Sequence, residues 1–111
     1  MQRLEIDRSR SKFFDPQVQE SFAAALPMFR ENAKIRTKNV EPLHRVIYAG
    51  DLYGYLAAIG VNSKIHWYVL KLNEKDSPSE FGQDDLFLYI PADEEINKFI
   101  SAITSTGTLK K

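Results

Sequence analysis

Histidine is the side chain best suited to acid–base or metal chemistry near neutral pH, and this sequence carries two, His44 and His66. Both fall in the stretch 43–73, LHRVIYAGDLYGYLAAIGVNSKIHWYVLKLN, with the single tryptophan, Trp67, and with Tyr48, Tyr53, Tyr55 and Tyr68. An imidazole pair can bind a metal or divide the acid and base roles of a reaction. This pair has no carboxylate on its expected face, and a metal would need a third ligand from elsewhere. Neither HRV nor HWY matches a catalytic signature. There is no cysteine, which excludes disulfides, cysteine-ligated metals and a thiol nucleophile. No serine stands in a nucleophile elbow, and no glycine-rich loop is built to cradle phosphate. Asp84 and Asp85 with Glu80 offer oxygen to a hard cation, but their spacing fits no known loop and they read as an acidic turn. No residue qualifies as catalytic, and no metal or cofactor is implied. The balance of residue types is against an enzyme without excluding one.

What remains is binding. Tyrosine and histidine present an apolar body with a polar tip, the composition of contact surfaces. Tyr48, Tyr53, Tyr55, Tyr68, His44 and His66 are therefore candidates for contact with a protein partner, including a second copy of the chain. Two basic clusters, Arg8, Arg10 and Lys12, then Lys34, Arg36 and Lys38, support an alternative. Aromatic strands flanked by cations stack and neutralise single-stranded nucleic acid. Against that alternative, basic and acidic side chains number fifteen each, so no net charge draws the chain to nucleic acid or to an anionic membrane.

The elements that would position these side chains follow from turn chemistry and periodicity. Gly50 with Asp51, and Asn62 with Ser63, suit two-residue hairpin turns, so 43–73 reads as a three-stranded meander. Strict alternation then puts the four tyrosines and both histidines on one face, and Trp67 with aliphatic residues on the core face. Leu4 and Ile6 alternate with charges as a short edge strand, followed by a basic loop to Lys12. Asp15 and Pro16 start a helix whose stripe Val18, Phe22, Leu26 and Phe29 continues past Pro27, as one kinked helix or two collinear ones. Residues 35–42 read as a polar connector. Residues 74–85 form a turn-rich loop, and LFLYI, 86–90, reads as a fourth strand of the sheet, buried on both faces. Asp93, Glu94 and Glu95 then open a helix carrying Ile96, Phe99, Ile100 and Ile103, ended by Gly107 and a loose tail, 107–111.

The expected fold is a single α+β domain over 1–111. Its order is β-α-β-β-β-β-α, a mostly antiparallel four- to five-stranded sheet with helices packed on one face. In element order, strand, helix, meander, it resembles the small messenger-RNA-cutting toxins of the RelE kind, a resemblance that implies a ribonuclease acting on the ribosome. No apolar run is long enough to span a membrane, and MQRLEIDRSR lacks the core of a secretion signal, so a cytoplasmic location is expected.

Overall fold

The computed structural model describes residues 13–32 and 34–105. They form a small α+β domain. Helix α1 (Pro16–Asn32) begins where the sequence placed it, with the Asp15 carboxylate accepting the Gln17 amide at 2.8 Å. It runs on through Pro27, which lies on its exposed side. There follow β1 (Ile35–Asn39), α2 (Pro42–Ile47), α3 (Leu52–Ala58), a 3-10 turn (Ser63–Ile65) running into α4 (His66–Leu72), a second 3-10 turn (Pro78–Glu80), β2 (Phe87–Pro91) and α5 (Asp93–Ser105). The expected edge strand at 4–6, Arg8, Arg10 and Lys12 and the tail 107–111 lie outside the described residues.

The four- to five-stranded sheet is a misreading. Among the described residues there is one two-stranded antiparallel sheet, β1 with β2, and the supposed meander is three short helices. The residues that suit hairpin turns also suit the junctions between helices. Gly50, at φ +78°, follows α2 and donates its amide to the Phe81 carbonyl at 2.7 Å. Asp51 caps α3 by accepting the Gly54 amide at 2.9 Å, and Asn62 caps the 3-10 turn through the Lys64 amide at 3.0 Å. Gly60, at φ +86°, closes α3 in a Schellman turn: its amide reaches the Ala57 carbonyl, and the Val61 amide reaches Leu56. A strand was also missed. Residues 35–39, read as a connector, form β1, with Ile35 opposite Pro91 and Asn39 opposite Phe87. β2 is buried on one face only, with Leu88 and Ile90 inward and Phe87 and Tyr89 outward.

At the centre lies α4. His66, Tyr68, Val69, Leu70 and Leu72 are all buried, and the helix packs against α1, α3 and β2. Phe22 of α1 is fully buried in edge-on contact with Tyr68 at 4.9 Å, Phe29 at 5.0 Å, Phe99 at 5.3 Å and Trp67 at 6.1 Å. Trp67, assigned by alternation to the main core, is only half-buried and lies at the margin of this cluster. Ile96 and Ile100 of α5, which packs on α1, belong to the same buried core.

Asn73, the residue after α4, ties helix to sheet. Its Nδ2 donates to the carbonyls of Val69 at 2.7 Å and Tyr89 at 2.9 Å, and its Oδ1 accepts the Tyr89 amide at 2.8 Å. One side-chain amide thus serves the outer edge of β2 as a neighbouring strand would. Truncating Phe22 to alanine is expected to cost about 3–5 kcal/mol, the range for a fully enclosed ring, and Trp67→Ala clearly less. Urea denaturation of both variants checks the ranking, and a larger loss at Trp67 would displace Phe22 from the centre.

Candidate functional site

The six residues expected to share a contact face do not share one. His44 stands on α2, Tyr53 and Tyr55 on α3, and His66 and Tyr68 on α4, while Tyr48 ends α2. Tyr55 and Tyr68 are fully buried, His66 is 7% exposed, and Tyr48, Tyr53 and His44 are half-buried. Helical geometry brings neighbours four apart together, so His44 lies edge-on to Tyr48 at 5.9 Å, and the packing of α2 on α3 sets it tilted against Tyr55 at 5.7 Å. His66 contacts the Val61 carbonyl through Nε2 at 2.8 Å. A carbonyl only accepts, so Nε2 carries the proton there, and the ring is occupied in closing the loop that enters α4. Among the described residues no three acidic, histidine or cysteine side chains are grouped to hold a metal ion.

The two buried phenols are solved differently. Tyr68 donates to the Phe13 carbonyl at 2.7 Å, and burial, reinforced by the Asp15 charge, pushes its pKa up to about 12. Tyr55 stacks on Phe81 with centroids 5.2 Å apart, and its hydroxyl has no hydrogen-bond partner. Burial raises its pKa, with a lesser contribution from the charge of Glu41. Burial raises that of Tyr53 as well.

Two surface features stand in place of the expected face. The first is a pair of adjoining clefts of about 370 and 420 Å³ beside the outer face of the sheet, sharing Arg30, Leu72 and Tyr89. Most of their charged groups are already engaged, the exposed Asp84 excepted. Arg30 pairs with Glu74 at 2.9 Å and donates to the Leu72 carbonyl, and Asp85 holds Lys75 at 2.8 Å and the Gly82 amide at 2.9 Å. Arg30, the one cation among the described residues that line the clefts, is thus occupied, and Asp84 has no described basic group beside it to form an acid–base pair. The second feature is apolar. α2 buries no residue, and Leu43, Val46 and Ile47 are 65, 60 and 58% exposed. Their spacing of three and four, after Pro42 at the first helical position, was a legible helix signal that the hairpin reading obscured.

The basic cluster Lys34, Arg36 and Lys38 is exposed on and beside β1. Cross-strand pairing puts Arg36 and Lys38 on the face of Ile90 and Leu88, whereas the exposed aromatics Phe87 and Tyr89 share the opposite face with Asn39 and Thr37. Cations and stacking rings thus point away from each other, unlike the combined groove of a single-strand binder. The element order behind the resemblance to the ribosome-dependent toxins is absent as well, since no meander exists among the described residues. No known protein family, curated protein or solved structure matches the chain. No helix among the described residues is long and apolar enough to cross a membrane.

The tyrosines give two checks by denaturation. Tyr68→Phe leaves the buried Phe13 carbonyl without its donor and is expected to lose about 1–3 kcal/mol, whereas Tyr55→Phe removes a partnerless hydroxyl and is expected to be neutral or stabilising. The pH dependence follows from the raised pKa. Below pH 10 both folded and unfolded chains keep the Tyr68 proton, and stability is unaffected. Between pH 10 and about 12 the unfolded chain ionises first, so stability falls. Tyr68→Phe should decline less steeply than the wild type over that interval; parallel curves would contradict the assignment.

Proposed function

We propose that this protein is a small interaction module that binds an apolar surface of another protein through the outward face of α2, in the cytoplasm. The observation that carries this reading is a helix with no buried residue that exposes three large aliphatic side chains in one stripe. A solvated helix of a small domain normally turns such a stripe inward, and contiguous exposed apolar side chains mark contact sites. The inward side of α2 is fixed by His44 and Tyr48 against Tyr55, and by Arg45 donating to the Gln83 carbonyl at 3.0 Å. These contacts turn the stripe of Leu43, Val46 and Ile47 away from the body of the domain.

A photocrosslinking residue at Val46 is expected to give one discrete adduct in the native cell. The same residue at Asn97, exposed on α5, should give none. The double variant Leu43→Asp, Ile47→Asp should lose the adduct while keeping its stability within about 0.5 kcal/mol, since neither side chain is buried. An adduct of twice the chain mass would make the partner a second copy. Equal labelling from both positions, or none from Val46, would remove the reading.

A further inference from the structure

Among the described residues, β2 is met on one edge by β1 and on the other, at Tyr89, by Asn73, whereas β1 is met on one edge only. The direction of its free backbone groups follows from Asn73. Because Asn73 bonds both the amide and the carbonyl of Tyr89, those groups point away from β1. Thr37, opposite Tyr89, is then in a pair without mutual hydrogen bonds, and bonded pairs must alternate with it. Arg36 with Ile90 and Lys38 with Leu88 make the ladder. Pro91, which has no amide to give, fits its place opposite Ile35 in the other class. The amides and carbonyls of Ile35, Thr37 and Asn39 therefore point outward. Among the described residues none pairs with that edge.

The same strand carries charge that no described residue compensates. Every other described lysine and arginine has a partner: Arg30 on Glu74, Arg45 on the Gln83 carbonyl, Lys64 over the Phe13 ring, Lys71 on Asp76, Lys75 on Asp85 and Lys98 on Glu95. Lys34, Arg36 and Lys38 have none among the described residues. They recur at every second position, so they line one face of the edge.

We infer that the free edge of β1 takes up an extended acidic peptide of a partner protein as a third strand. Main-chain hydrogen bonds from Ile35, Thr37 and Asn39 would supply affinity. Carboxylates at alternate positions of the peptide, opposite Arg36 and Lys38, would supply register. A second copy is a poor occupant. Antiparallel pairing of two β1 edges about Thr37 sets Arg36 of one copy against Lys38 of the other, and like charges directly opposite repel. This contact is independent of the α2 stripe, and its test does not involve that face.

The experiment is a titration of the full chain with a short peptide alternating glutamate and threonine, followed by amide correlation spectroscopy. Its controls are the same peptide with lysine for glutamate and a single-stranded oligonucleotide of similar charge. Shifts confined to 35–39 and saturable by the acidic peptide alone are expected. Thr37→Pro should weaken binding at least about tenfold without unfolding the chain, because the amide it removes points outward and the internal ladder is untouched. Its denaturation midpoint checks that. In the charge reversal Arg36→Glu, Lys38→Glu, which does not depend on proline being tolerated, the lysine peptide should bind in place of the acidic one. Any of four results would overturn the inference: no shift at low salt, oligonucleotide binding that survives Thr37→Pro, reversal of charge without exchange of preference, or a dimer in sedimentation that Thr37→Pro abolishes.

Discussion

α4 is seven residues long, too short to hold a helical backbone by its own hydrogen bonds. Its conformation depends on being surrounded, and the surrounding is what the rest of the chain does. Phe22 and Phe29 of α1, Leu88 and Ile90 of β2, and Ile96 and Ile100 of α5 are apolar groups that the chain buries around it. Both ends are tied by groups outside the helix. At its start His66 reaches back to Val61, and at its end Arg30 takes the Leu72 carbonyl while Asn73 spans to Tyr89. Five of its seven residues are buried and only Trp67 and Lys71 reach its margin, so it cannot sit at a surface and the rest packs around it.

That same burial is why the centre was hard to read. Periodicity reports which side of an element faces water, and HWYVLKL has almost no such side. Its aromatic and β-branched residues then fit a strand as well as a helix. The junctions compounded this, since Gly, Asp, Asn and Ser serve hairpin turns and helix caps through the same backbone freedom and the same side-chain acceptors. The long helices were legible because each keeps one wet face and a clear start: Asp15 with Pro16, and Asp93 to Glu95. β1 was illegible for the opposite reason. In a two-stranded sheet an edge strand meets water along its side and most of both faces, and IRTKN carries only Ile35 as an apolar mark.

The candidate site was legible in part for reasons that follow from this. Aromatic side chains with polar tips suit a contact surface only where the tip reaches water. In Tyr68 the tip is satisfied internally by Phe13, and in Tyr55 it is enclosed with no partner, so both rings belong to the packing. The basic residues at 34–38 could be listed from the sequence, but their regular spacing acquired a meaning only once they stood along a strand.

The core leaves two neighbouring segments unfinished: β1, and then α2, joined through buried Val40. They are unfinished in complementary ways. α2 lacks a partner for apolar side chains but has its backbone satisfied within the helix, whereas β1 lacks a partner for its backbone and carries charge instead of apolar surface. Each device limits what can attach. The cations on β1 resist copies of the same edge and admit an opposite charge, while the α2 stripe discriminates by shape and desolvation. A domain that had only to fold would close the β1 edge as Asn73 closes that of β2, with one side-chain amide. Among the described residues the device is present on one edge of the sheet and absent from the other, where Lys34, Arg36 and Lys38 stand without described partners, and it is this asymmetry that supports the proposed contact at β1.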